Sequence, residues 1–440
     1  MTDRFPRPYR IAVAPSGFKE SLSAAQAAAS IAEGLLRVVP DAGIDLIPLV
    51  DGGEGTAAAL AAATGGRLVR LTATGPVGEP VGTHLALLGP GTAVVEMAAV
   101  AGLSLVPPDR RDPVRTTTYG AGELIRAALD SGARRILVGC GDSGTSDGGA
   151  GALQALGARL LDAEGRELGR GGGELLHLDR IDTGGLDPRL ARAEILVACN
   201  PHNVLCGERG VARVFGPQRG ATQAQVERLS AGLERWAAVL TRDVLRAPCP
   251  LRRSSGTDGV PSGAAWLGGR FEAGHGPGDG GGVPDLRLSP GTGASGGLGA
   301  GLAAVGGRLL PRFEVLLGHL DLDARLAAAD LVVTAEGALD AQTPHGKIPA
   351  EVAHRAKRAG RPVLALAGTL GHGAHEVRAV GVDAYSSIVP APVPLREALG
   401  RAGEFLADAA ERAIRMILLG TRLPSPLAQT AGTQRPSSVR

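Results

Sequence analysis

Four glycine-containing turns in this chain carry acids or a lysine, and each stands before a helical pattern. They are Ser16-Gly17-Phe18-Lys19-Glu20-Ser21, Asp51-Gly52-Gly53-Glu54-Gly55-Thr56, the stretch from Gly141 to Gly151 around Asp147, and the stretch from Glu336 through Asp340 to Lys347. Glycine lets a backbone approach an anion closely, and the N–H groups of the following helix then face it; phosphate suits such a site best. Asp51, Glu54, Asp147, Glu336 and Asp340 could hold Mg²⁺, directly or through water, or accept a proton from a substrate hydroxyl. Lys19 and Lys347 suit the neutralisation of charge on a transferred phosphoryl group.

Any one of these turns alone is more often a plain connection, and a lone Asp in it an N-cap. The series of four is harder to explain by capping. None is a P-loop, since Gly346-Lys347 is followed by Ile348. The glycine-rich run from Gly291 to Gly301 follows no clear strand, so a dinucleotide fingerprint is set aside. His345 is either a proton carrier beside Lys347 or simply a turn residue.

Lysine is scarce: of 46 basic residues only Lys19, Lys347 and Lys357 are lysine, and two of the three lie in these turns. A planar guanidinium does not replace a compact ammonium, so lysines that persist in an arginine-rich chain mark places where the ammonium is needed. Lys357 sits in a charged helical stretch and reads as a solvated residue.

The elements that position the turns follow from pattern. Arg10 to Pro15 reads as a strand, Ser23 caps an Ala-rich helix, and Asp45 to Val50 is a second strand running into the Asp51 turn. This β-α-β-α opening implies a parallel sheet. From about Gly75 the texture changes to short strands and turns. Arg135 to Cys140 delivers the Asp147 stretch, Glu194 to Cys199 delivers Asn200, and Thr222 to Arg242 is an amphipathic helix. Asp330 to Ala335 is a buried strand whose carboxyl end carries Glu336, Asp340 and Lys347. Strands at Val363 to Ala367 and Ala384 to Val389, and a long helix to about Leu419, follow. Residues 248–290 are dense in Gly, Pro, Ser and Arg and read as a flexible insertion; residues 423–440 read as a disordered tail.

Composition excludes several classes. The 440 residues suffice for two domains, and a net charge of +2 with 2% aromatic residues argues against nucleic-acid binding and a membrane-surface role. Nothing reads as a signal peptide or a membrane span, so a cytoplasmic protein is expected. Cys140, Cys199, Cys206 and Cys249 show neither zinc-site nor disulfide spacing.

Taken together, Ala14-Pro15 with Phe18-Lys19 and Ser21-Leu22, Asp51-Gly52-Gly53-Glu54-Gly55-Thr56, Asp147-Gly148-Gly149, Phe215-Gly216-Pro217-Gln218 with Gly220-Ala221-Thr222, and Glu336-Gly337 with Asp340, Gln342-Thr343 and Gly346-Lys347 resemble the bacterial class I glycerate kinases. Tyr119-Gly120 and Gly296-Gly297-Leu298-Gly299 are weaker matches in the same order. The resemblance implies ATP-dependent, Mg²⁺-assisted phosphorylation of glycerate or a close hydroxy acid, at the 2-hydroxyl. It also implies an α/β fold, with a Rossmann-like (flavodoxin-like) parallel-sheet domain from 1–75 plus 291–422 and a second, inserted α/β domain from 76–247.

On this basis Asp51, Asp147, Asp340 and Lys347 are the catalytic candidates. Lys19, Ser16, Asn200, Gly296, Gly297, Glu336 and His345 are candidates for substrate or phosphate contacts, and Asp51, Asp147 and Glu336 for metal. The chain departs from the family's usual residues at Ser16-Gly17, Asp142, Asn200 and Ala335. Ser16 and Asn200 stand where acids are usual, which places acceptor recognition near them. The loss of those two acids also keeps a second reading open, a non-catalytic sensor of a metabolite or nucleotide on the same fold.

Overall fold

The computed structural model describes residues 8–18, 21–246, 285–317 and 320–420. Lys19, residues 248–284 of the expected insertion, Cys249 and the 423–440 tail lie outside the described residues. In chain order the strands are β1 (Arg10–Val13), β2 (Gly43–Leu46), β3 (Arg67–Thr74), β4 (Pro80–Gly89), β5 (Thr92–Glu96), β6 (Arg135–Gly139) and β7 (Arg159–Leu161). They continue with β8 (Arg180–Asp182), β9 (Glu194–Cys199), β10 (Arg308–Pro311), β11 (Leu331–Leu339), β12 (Val363–Leu370) and β13 (Ala384–Ser387). Two compact units divide the chain between Leu49 and Val50 and again between Leu322 and Asp323.

The first unit is built on a five-stranded sheet in the order β13-β12-β11-β1-β2, every neighbour pair parallel. Renumbered within the unit this is 2-1-3-4-5, the flavodoxin-like order, whose switch point lies between β1 and β11. Alternate residues Ile11, Val13, Val333, Ala335, Leu364 and Leu366 share a core with Ile31 and Leu35 of helix Ala24–Leu36 and with Phe405, Leu406 and Ala410 of helix Ala402–Gly420. Residues of the opposite parity, Ala12, Val332, Thr334, Ala365 and Ala367, are equally buried, and helix Ile348–Arg358 packs on β11 and β12. Coverage of both faces explains why these strands read as continuous apolar runs. Ser23 and Gln26 form a reciprocal capping box that starts the first helix, as its sequence predicts.

The second unit carries a six-stranded sheet, β10-β9-β6-β5-β4-β3, in which β10, β9, β6 and β5 run parallel and β4 and β3 complete an antiparallel meander. β7 and β8 form a separate antiparallel pair. One core unites Val95, Ile136, Val138, Leu124, Leu153, Leu233, Trp236, Leu298 and Leu302.

The observed division differs from the expected boundaries at 75 and 291. β3 is zipped to β4 from Arg67↔Leu87 to Thr74↔Pro80, so the hairpin belongs to one sheet. Helix Ala294–Ala304 and β10 likewise serve the second unit's core and sheet edge. The turn at Gly75 was legible, but pattern alone cannot say which sheet a hairpin's first strand joins. Among the described residues no helix is long and apolar enough to cross a membrane. Cys140, Cys199 and Cys206 are buried thiols, and burial pushes each up to about 12.

Helix Ala24–Leu36 crosses helix Ala402–Gly420 at Gly34, where an added Cβ would lie 1.9 Å from the Ala407 carbonyl oxygen. Helix propensity alone favours Ala over Gly by about 1 kcal/mol. Overpacking against backbone outweighs that gain, and Gly34→Ala is expected to destabilise the protein by about 2 kcal/mol. Thermal or urea unfolding checks the sign, which opposes the propensity scale.

Candidate functional site

In the first unit the carboxyl ends of β1 and β11 lie side by side. Ser16 N–H donates to the Ala335 carbonyl at 2.8 Å, and its hydroxyl donates to the same oxygen at 3.1 Å. Ser16 therefore extends the β1–β11 pairing beyond β1 and is buried in doing so. β11 continues to Leu339, so Glu336 lies within the strand, opposite Ala367 of β12, and not in a turn as the sequence suggested.

The turn itself begins at Asp340. Its carboxylate accepts from Lys347 Nζ at 3.0 and 3.2 Å, from the Gln342 N–H at 2.9 Å and from the Thr343 hydroxyl at 3.4 Å. Partial burial works to raise the Asp340 carboxyl, but the Lys347 ammonium and the Gln342 amide outweigh it and hold the group below its ordinary value. The pair is open to solvent, the side chains being 24% (Lys347) and 33% (Asp340) exposed. His345 is exposed in the short turn Thr343–His345. Helix Ile348–Arg358 then starts at Lys347, where no side-chain cap is found among the described residues.

In the second unit the Asp51 turn is held from several directions. Arg312, just past β10, donates Nη1 to Asp51 Oδ2 at 3.1 Å and to the Asp51 carbonyl at 3.2 Å, and the Gly53 N–H donates to Oδ1 at 3.2 Å. Asp142 Oδ2 accepts the Glu54 N–H at 3.1 Å, and the Ser104 hydroxyl donates to the Glu54 carboxylate. Asp142 has a left-handed φ of 52°, a conformation that favours glycine.

Helix Thr56–Thr64 begins at Gly55, whose φ of 87° and missing side chain leave the first turn without its own cap. Glu96, at the end of β5, supplies one: Oε1 accepts the Gly55 N–H and Oε2 the Ala57 N–H, each at 3.0 Å. Glu96 is only 2% exposed, and burial pushes its carboxyl up to about 7. The two N–H groups work against that rise, while Glu54 and Asp142 add to it.

Asp147 has an analogous environment. It is 0% exposed. Oδ2 accepts the Thr118 N–H at 2.7 Å, the Thr118 hydroxyl at 2.9 Å, the Gly151 N–H at 3.2 Å and the Thr117 hydroxyl at 3.4 Å, and Oδ1 accepts the Gly149 N–H at 3.2 Å. Burial nevertheless raises its carboxyl above the ordinary value. Arg219, also buried, donates to the Ser143 carbonyl at 3.0 Å and the Ser146 hydroxyl at 3.1 Å, and burial pulls its guanidinium down to about 10 against the charge of Asp147. With its acceptor positions taken by its own chain and no exposed surface, Asp147 is a tie between the Thr116-Thr117-Thr118 segment and the next helix. That environment does not suit the base or metal ligand expected from sequence.

The remaining candidates have local roles. Gly296 and Gly297 are buried where two backbones meet: a Cβ on Gly296 would lie 1.9 Å from the Thr145 carbonyl oxygen, and one on Gly297 would lie 2.7 Å from Gly148 Cα. Close packing accounts for both glycines without a phosphate. Asn200 Oδ1 accepts the His202 N–H at 3.0 Å and shapes the turn after β9.

Sequence reading missed Glu96, Arg312 and Arg219. Glu96 had a signal, a lone acid closing the apolar run Ala93-Val94-Val95, whereas nothing local marks either arginine among so many. Among the described residues no group of three or more His, Cys, Asp or Glu is placed to hold a metal ion.

Comparison with known proteins gives a consistent result. The glycerate kinase family model matches residues 11–418. The chain is 42% identical to the glycerate kinase of Bacillus subtilis (strain 168), over 94% of this chain and 98% of that one. It is 40% identical to the glycerate 2-kinase of Escherichia coli (strain K12), over 94% and 99%. A crystal structure described as a candidate glycerate kinase 2 from Salmonella typhimurium LT2 superposes with a TM-score of 0.69 at 41% identity, covering 94% of this chain and 100% of that one.

Glu96 yields a pH prediction. Its folded-state value of about 7 lies above the ordinary 4.5, so its contribution to stability is fully present below pH 4.5 and is lost as pH rises through 7. The full loss is about 3 kcal/mol. Glu96→Gln removes this titration, so the melting temperature of the variant should rise relative to the parent between pH 5 and pH 8. Thermal melts across that range check it.

Proposed function

Because the chain belongs to the glycerate kinase family, we propose that it transfers the γ-phosphoryl group of ATP to a hydroxyl of glycerate, with the turn from Asp340 to Ile348 handling the phosphate. The chain is an enzyme of that family, and nothing found favours the sensor reading. One observation supports the phosphate assignment. Of the four turns, three lead into helices whose first amides are met by the chain itself, through Ser23, Glu96 and Asp147. The fourth leads into helix Ile348–Arg358, which starts without a side-chain cap beside a partly exposed ammonium.

In this reading the glycerate hydroxyl oxygen attacks the γ-phosphorus, the bond to the β-phosphate oxygen breaks, and ADP leaves. Lys347 neutralises charge on the transferring oxygens. Asp340 holds the ammonium in place; once a phosphate shares Lys347, the carboxylate is released to take the hydroxyl proton. Asp51 and Glu54 are further carboxylates for substrate binding, and Ser16 is a neutral contact at the β1–β11 junction. Glu336 is the residue that would hold Mg²⁺, and the ion would supply neutralisation of phosphate charge. The E. coli relative's name points to the 2-hydroxyl as acceptor, and the need for ATP to a cytoplasmic location.

A coupled assay of ADP release should show turnover that requires glycerate, and identification of the product should show 2-phosphoglycerate. A folded chain that releases no glycerate-dependent ADP would sink the proposal. Lys347→Met should lower kcat by about 100- to 1000-fold. Lys347→Arg should restore little, because the bulky fork does not fit a site made for a point charge.

A further inference from the structure

We propose that Glu96 is a positioning residue for this reaction, setting the backbone of the Asp51 turn and through it the carboxylates of Asp51 and Glu54. The inference rests on the reading that the chain phosphorylates glycerate and that this turn serves the substrates.

Glu96 is buried at the end of β5, so it does not itself meet a substrate. Its two oxygens each take one N–H, from Gly55 and from Ala57, at either side of the helix start. Gly55 is left-handed and has no side chain, so the turn cannot cap its own helix. Other restraints act upstream: the Gly141 N–H donates to the Gly52 carbonyl at 3.0 Å, Asp142 holds the Glu54 N–H, and Arg312 holds Asp51. Downstream, the Thr56 N–H donates to the Gly53 carbonyl at 3.2 Å within the turn, and Glu96 ties Gly55 and Ala57 to β5. Because the stretch is only five residues from Asp51 to Gly55, a shift at Gly55 carries directly to Glu54 and its neighbours. Both N–H groups need an acceptor. Glutamine offers one oxygen and sets an NH₂ against the second donor, so the isosteric change breaks one tie without opening a cavity.

The test uses the full chain and Glu96→Gln. Hydrogen exchange should become at least about tenfold faster at Gly55 or Ala57. With glycerate and MgATP, kcat should fall about tenfold or more while the KM for ATP stays within about twofold. Faster exchange with unchanged kcat would overturn the positioning role and leave Glu96 as a helix cap alone. Unchanged exchange would overturn the proposal at its first step. A parent chain without glycerate-dependent turnover would overturn the functional reading and this inference together, so the two failures are distinguishable.

Discussion

A helix leaves its first amides unsatisfied, and an acceptor or anion has to meet them. That constraint organises the four turns of this chain. In the second unit it is met internally: Glu96 reaches from β5 to the helix after the Asp51 turn, and Asp147 folds back onto the amides of Gly149 and Gly151. The same glycine-rich, acid-bearing text that suggests a phosphate cradle also describes a turn whose anion is a buried carboxylate of the chain. What separates the two is burial, since both carboxylates are sealed from solvent and raised above their ordinary values.

Asp147, Asp51 and Asp340 each have a defined counterpart, and the counterpart sets what the acid can do. Asp147 lies in the field of buried Arg219 and is saturated by amides and hydroxyls, an arrangement that fixes structure. Asp51 is paired to Arg312 but half-exposed. Asp340 is paired to Lys347 in the open, where the bond is weak enough for a phosphate to compete for the ammonium. Graded burial of similar pairs thus distinguishes ties from groups that can exchange partners with a substrate.

Much of this was legible in the sequence. A parallel sheet follows from apolar runs alternating with helices, its flavodoxin-like order was implied by the family resemblance, and Asp340 with Lys347 stood out because lysine is scarce. Four things were not legible. Glu336 reads as a loop residue because Gly337 follows it, yet β12 pairs with β11 as far as Leu339. Gly296 and Gly297 resemble a phosphate loop because close backbone packing and anion binding require the same residue. β3 and helix Ala294–Ala304 belong to the second unit through long-range pairing that no local pattern encodes. Arg219 and Arg312 act through hydrogen bonds to Ser143 and Asp51, 76 and 261 residues earlier in the chain.

The central claim is that phosphate recognition belongs to the turn from Asp340 to Ile348, while the helices after the Asp51 and Asp147 turns are met by buried carboxylates of the same unit, Glu96 and Asp147. Hydrogen exchange of the full chain, with and without a non-hydrolysable ATP analogue and Mg²⁺, tests it directly. The account predicts slowed exchange at Ile348 and Ala350, with Gly55, Ala57, Gly149 and Gly151 unchanged. Slowed exchange at those four glycine-turn amides, with none at Ile348 or Ala350, would contradict it.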